Sequence, residues 1–332
     1  MKKNISHGFI KKLNIICLFI GIMCLSACTG SGVNPQNGKL KVVAVNFVQY
    51  DFAREICGDM ADVTMIIRPG AEVHGYEPSF SDIVAIENAD VLIYNGGESD
   101  VWVDRVLSSV NTKGMTVVPL MAGEGITLYE EEGFISHEHT DGHDVHHSGH
   151  HHNDSSDAYD EHIWTSPKNA LAIADVICKA VIGADSENGS VYTENANKLK
   201  DKLNKLDTEL AQTVNNAPQN LIVVADRFPF LYMAKDYGLQ YMAAFSGCSP
   251  ESDAGPSVVA SMIDEIKIHS IDSIFNIELS NGKMADVVCE HTGAKKLLLH
   301  SCQNVTGSEF ESGATYCSLM EQNIKNLKEA LY

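Results

Sequence analysis

From Val191 to Ala217 the chain contains no glycine or proline, and Leu199, Leu203, Leu206 and Leu210 recur every three to four residues between lysines and acids. That period predicts one long amphipathic helix, ended by Pro218, that is either a core element or a backbone joining two lobes. On both sides of it, short apolar runs alternate with helical patterns. Before it, strands are expected at Lys41–Phe47, Val63–Ile67, Asp90–Tyr94 and Thr116–Val118. Helices are expected at Phe52–Ile56, from Ser79 to about Asn88, at Trp102–Val110, and from Ser166-Pro167 to about Val181. After it the alternation restarts, with strands at Leu221–Ala225, Tyr241–Phe245, Ser273–Ile277 and Lys296–Leu299. Helices at Phe230–Tyr237, Ser257–His269, Lys283–Thr292 and Thr315–Leu331 complete this half. Strand and helix in alternation with short links imply parallel sheets covered by helices. The economical reading is an α/β protein of two lobes, each a parallel sheet flanked by helices, joined by one long rigid helix. Its parts are an N-terminal lobe over 40–190, a linking helix over 191–217 and a C-terminal lobe over 218–332. Ligands of such sheets sit beyond the carboxyl ends of the strands, where the lobes face each other.

One stretch, from 123 to 160, breaks this rhythm and carries no apolar period. It holds His137, His139, His143, His146, His147, His150, His151 and His152, out of 14 histidines in the whole chain. Neutral imidazole is the commonest protein metal ligand, so the run reads as an accessory metal loop. Its irregular spacing, interleaved with Asp141, Asp144, Asp154, Asp157 and Asp160, sets it apart from a purification tag.

The N-terminus reads as a secretion signal over 1–27. Lys2, Lys3, Lys11 and Lys12 precede an apolar run from Leu13 to Ala27 that is too short to span a bilayer comfortably. The run ends in Leu25-Ser26-Ala27-Cys28, which resembles a bacterial lipoprotein signal and implies cleavage before Cys28 and a lipid on its sulfur. Residues 28–39 read as a tether. The expected location is the extracytoplasmic face of the cell membrane, held by the lipid. A net charge of −20 argues against nucleic acid and suits a protein that attracts cations. The cysteines beyond Cys28 form no CxxC pair, so a thiolate zinc knuckle is not expected.

Three isolated histidines carry the chemistry. His74 follows the second expected strand, His162 directly precedes a helix, and His300 ends the last strand of the second lobe. They fall at equivalent edges of the two sheets.

The motifs Arg68-Pro69-Gly70…His74-Gly75-Tyr76-Glu77-Pro78-Ser79…Ser81-Asp82-Ile83 and Asp160-Glu161-His162-Ile163-Trp164-Thr165-Ser166-Pro167 resemble those of the substrate-binding lipoproteins of zinc and manganese ABC transporters. Tyr94-Asn95-Gly96 with Trp102, Asp236-Tyr237-Gly238-Leu239 and Thr292-Gly293-Ala294 extend the resemblance over nearly the whole mature chain. The resemblance implies two α/β lobes and a rigid helix. It also implies capture of Zn²⁺ as transported ligand, delivery to the permease of an ABC importer, a monomer, and no enzymatic activity. His74 and His162 match the first two ligands of the family site, and the His-rich segment falls where the zinc branch carries one. The usual third ligand is missing: spacing to Phe228 puts Ala225 there. Asp226 and His300 are the candidate replacements, with His300 completing a three-histidine site. Glu278 matches a family glutamate that orients a ligand histidine, and Cys248 and Cys302 are paired as a possible disulfide bracing the His300 loop.

The alternatives are a manganese or iron receptor of the same class, a zinc-dependent hydrolase with Glu278 as base, and a surface adhesin. The histidines favour zinc over the oxygen-seeking metals. Neither an HExxH nor a GxSxG motif supports hydrolysis.

Overall fold

Every expected strand forms, and all of them pair in parallel. A computed structural model describes residues 38–131, 159–247 and 255–332. The first sheet is built from β1 (Leu40–Ala44), β2 (Ala61–Met65), β3 (Val91–Tyr94) and β4 (Thr116–Pro119), in the order β2-β1-β3-β4. The second repeats the pattern with β5 (Leu221–Phe228), β6 (Gln240–Ser246), β7 (Ser273–Asn276) and β8 (Lys295–Leu298), in the order β6-β5-β7-β8. Parallel strands need crossovers, and helices supply them. In the first half these are α1 (Phe47–Cys57), α2 (Phe80–Glu87) and α3 (Val101–Leu107), followed by α4 (Pro167–Ala184). After the long α5 (Gly189–Asn215) come α6 (Leu231–Tyr237), α7 (Pro256–His269), α8 (Lys283–Thr292), α9 (Gly307–Glu311) and α10 (Tyr316–Leu331).

In both sheets the strand order reverses beside the first strand, between β1 and β3 and between β5 and β7. Such switch points leave a crevice at the carboxyl ends of the strands. Alternation along each strand sends neighbouring residues to opposite faces. Val42, Val91 and Ile93 of the first sheet therefore share one continuous core with Ile222, Val224 and Phe275 of the second. Val43 and Leu92 fill a separate core on the first sheet's other face, and Val223, Ala225 and Ile274 do so on the second.

The shared core is closed by α5. Its Leu199, Leu203, Leu206 and Leu210 are all buried there. At 1.5 Å per residue the helix is about 40 Å long, enough to run past both lobes. Near its start Asn195 Nδ2 donates to the Ile56 carbonyl at the end of α1 (3.2 Å), and further along Asp207 accepts from Tyr237 Oη of α6 (2.6 Å). Among the described residues no helix is long and apolar enough to cross a membrane.

Three boundaries differ from expectation for identifiable reasons. The run Lys41–Phe47 is split because the Asn46 N–H is taken by Gln49 Oε1 (2.8 Å), which starts α1 at Phe47. Strand β5 continues past Ala225 to Phe228, with a register shift against β6 between Val224 and Arg227. The short α9 was not expected, although Thr306 and Glu309 spell a capping box: Thr306 N–H donates to Glu309 Oε2 (2.8 Å) and Glu309 N–H to Thr306 Oγ1 (3.2 Å).

Leu203 is fully buried in the shared core. Its replacement by alanine is expected to cost about 2–5 kcal/mol in denaturant unfolding. The two lobes should still unfold together, because the core belongs to both. Two separated transitions in tryptophan fluorescence and circular dichroism would show that the lobes are independent.

Candidate metal site

The cleft between the sheets contains a cavity of about 30 Å³, walled by His74, His162, Arg227, Glu278, Ser301 and Asn304 among others. One water needs roughly 10–15 Å³ measured this way, so the space suits a single ion and not an organic substrate. A larger, mostly apolar hollow of about 460 Å³ lies along β6 and α6 and contains none of the three candidate histidines.

His162 is completely buried just before α4. Asp160 fixes it twice, accepting from its backbone N–H (2.8 Å) and facing its Nδ1 (3.1 Å) through the same oxygen. A carboxylate can only accept, so the ring proton sits on Nδ1 and the lone pair on Nε2. That Nε2 is buried and, like His300 Nε2, has no hydrogen-bond partner among the described residues. Gly247 packs over the ring: a Cβ there would lie 2.9 Å from the Phe228 carbonyl, 3.1 Å from Asp160 and 3.3 Å from His162 Cε1. Burial opposes protonation of His162, but the negative charges of Asp160, Glu161 and Glu278 together raise its pKa.

His74 reaches the cavity from the loop after β2. Its Nδ1 is hydrogen-bonded to Ser99 Oγ (2.9 Å), and the Ser99 N–H donates to Glu161 Oε1 (2.8 Å), which ties this histidine to the segment carrying His162. The two imidazole centroids are 5.7 Å apart. That spacing matches rings bonded to one ion through nitrogens at about 2.0–2.1 Å. Burial, then the neighbouring His162 and Arg227, push the His74 pKa down to about 4, so the ring is neutral and ready to coordinate at ordinary pH.

The second lobe presents a different set of residues from the one anticipated. Glu278, just past β7, lines the cavity with His74 and His162. It is held by Ser301, whose N–H donates to Oε2 (2.7 Å) and whose hydroxyl bonds to Oε1. His300 lies outside that lining. Its Nδ1 accepts the Cys302 N–H (2.9 Å), and its Nε2 lies 3.7 Å from Glu309. Its Nδ1 is also 3.7 Å from Glu278, so it stands between two carboxylates, which raise its pKa against the effect of burial. Among the described residues no three His, Cys, Asp or Glu side chains stand close enough to hold a metal ion as placed, which applies to the three histidines and to His74, His162 and Glu278 alike.

Ala225 does not face the cleft. It is buried in the outer core of the second sheet, and the register shift after Val224 brings Arg227 to the cavity wall. Asp226 is also not among the lining residues; its carboxylate accepts the Arg227 N–H (2.9 Å) and a hydrogen bond from Ser280. Cys302, the described member of the expected pair, is a buried free thiol, and burial pushes its pKa well above the usual thiol value. Cys248, Cys28 and the accessory histidines 137–152 lie outside the described residues. Sequence reasoning missed Arg227, Ser99 and Gly247 as parts of the site. Only the carboxylate two residues before His162 was a legible signal.

Two parallel-sheet lobes enclosing an ion-sized cleft, with two imidazoles on its wall, define a two-lobed binding protein. A family model described as "Zinc-uptake complex component A periplasmic" matches residues 42–330, and the chain belongs to that family. It is 29% identical over 322 residues to the zinc-binding lipoprotein AdcA of Streptococcus pneumoniae R6, covering 96% of this chain and 61% of the relative. The chain thus spans less than two thirds of the length of that relative. It is also 29% identical over 315 residues to the high-affinity zinc uptake system protein ZnuA of Bacillus subtilis, covering 95% of each. Among solved structures, the Zn(II)-bound ZnuA-like domain of S. pneumoniae AdcA superposes with a TM-score of 0.72 at 26% identity, covering 89% of this chain and 99% of that one.

Asp160 sets both the tautomer and the charge of His162. An Asp160→Asn variant is therefore expected to titrate His162 at lower pH than the parent does, read from imidazole proton resonances of the metal-free protein. An unchanged His162 pKa would show that Asp160 does not control the ring.

Proposed function

We propose that this chain captures Zn²⁺ outside the cytoplasm and delivers it to the permease of an ABC importer. The carrying observation is the His162 Nε2: a buried lone pair with no partner, beside a second imidazole and a carboxylate, at a cavity of ion size. Unpartnered buried polar atoms are rare and call for a ligand. His74, His162 and an oxygen of Glu278, which line one cavity without standing within metal-holding reach of each other, would close on the ion and leave a fourth tetrahedral position for water. Two imidazoles to one carboxylate favour zinc over manganese or iron. Nothing in this arrangement requires a reaction: the ion is cargo, and the protein acts as a carrier rather than an enzyme. The names of the pneumococcal and Bacillus relatives support the same reading. A lipid on Cys28 would hold the carrier, as a monomer, at the membrane face, and the histidines at 137–152 would raise the local zinc concentration near the cleft.

His300 acts behind the site, through Glu278 and Glu309. His74→Ala and His162→Ala are each expected to weaken zinc binding in chelator competition by more than about 100-fold. His300→Ala should cost roughly 10–100-fold, the range for losing an outer partner. Wild-type affinity in His162→Ala would remove the cleft as receptor. Deleting 137–152 should leave one tight site and abolish several weak ones in native mass spectrometry. Loss of the tight site would place the receptor in that segment instead.

Histidine must shed its proton to bind metal. The His162 pKa is raised, so protons compete there first, and zinc affinity should begin to fall at a pH above the ordinary histidine value of about 6.5. His74 adds a second loss only near its pKa of about 4. Affinity flat between pH 8 and 5 would exclude a histidine site.

A further inference from the structure

We propose that Arg227, paired with Glu72, limits the affinity of the cleft as a fixed cation on its wall that opposes an incoming dication. The inference rests on reading the cleft as a metal site. It comes from a residue that this reading does not use.

Arg227 lies near the end of β5, after the register shift, and lines the same cavity as His74, His162 and Glu278. A guanidinium has no lone pair to offer a metal and does not lose its charge in a protein. Zinc would therefore enter a space already holding one positive charge, between the two carboxylates on the wall, Glu72 and Glu278. Arg227 already has a carboxylate partner. Its Nη2 is 3.6 Å from Glu72 Oε2, and Glu72 Oε1 accepts the His74 backbone N–H (3.3 Å). Glu72 stands on the loop after β2 in the first lobe, so the pair spans the cleft between lobes. The Glu72 side chain is 60% exposed and Arg227 only 23%, which places the pair at the rim with the arginine inward. Held there by Glu72, the guanidinium stays on the cavity wall as a positive charge that opposes an incoming dication.

The test is zinc affinity by chelator competition at fixed pH and ionic strength, in wild type and in Arg227→Gln, Arg227→Lys and Glu72→Gln variants. Removing a unit charge within several ångströms of a dication should tighten zinc binding about tenfold or more in Arg227→Gln, while Arg227→Lys stays near wild type. Glu72→Gln should weaken binding in the wild-type background, because it removes the charge that offsets Arg227 on the cavity wall. Arg227→Met makes the same comparison should the Gln variant not fold, with metal-free melting as the check. If wild type binds zinc through His162 and neither charge-free variant binds more tightly, the assignment of Arg227 falls and the zinc reading stands. If the gain persists in a His162→Ala background, it arises outside the cleft and the assignment falls as well. If neither wild type nor Arg227→Gln binds zinc, the zinc reading is wrong and this inference goes with it.

Discussion

The structure depends on one buried junction where the two lobes meet. Trp164 is almost fully buried in the shared core; its Nε1 donates to the Ser301 carbonyl (2.8 Å), and Tyr316 Oη donates to the Trp164 carbonyl (2.7 Å). The Tyr316 N–H in turn donates to Asp51 of α1 (2.8 Å). One indole thus links the segment carrying His162 to the loop carrying Ser301, and through Tyr316 to the first helix of the other lobe. In an apolar interior each of these polar groups would be costly to leave unpaired, so the network fixes the relative placement of both walls of the cleft.

The site inherits its precision from that junction. Ser301 holds Glu278, Asp160 holds His162, and Glu161 acts through Ser99 on His74. Each cavity-lining side chain is oriented by a neighbour that is itself anchored in backbone. Further bonds cross the lobes behind the cavity: Asn304 Nδ2 donates to the carbonyls of Arg68 (2.9 Å) and Ala71 (2.8 Å), and the Gly70 N–H to that of Val305 (2.7 Å). A cleft braced by one continuous core and by these bonds is suited to small adjustments at its rim rather than to wide opening. Arg227 and Glu72 sit at that rim.

Much of the fold was legible from local pattern. The strands were visible as apolar runs because parallel strands are covered on both faces. Helix α5 was visible because its leucines keep one period from end to end. His74 and His162 stood out because each lies in a turn-forming motif outside any apolar period. His300 was legible as a strand-end histidine, but its direction was not. A strand end tells where a side chain starts, and the neighbouring Cys302 N–H and Glu309 decide where the ring points.

The sequence by itself determined the two parallel sheets, the helix between them and the two histidines of the first-lobe half of the cavity wall, because these follow from periodicities and motifs short enough to read along the chain. Only the tertiary structure decided the other half. Alternation along β5 puts Ala225 in the outer core beside Val223, a register shift after Val224 precedes Arg227 at the cavity, and packing behind β8 directs His300 toward Glu309 and leaves Glu278 lining the cavity with the two histidines. Both outcomes depend on which face of a strand a residue presents. A shift of one residue reverses that face without changing anything a linear reading can see.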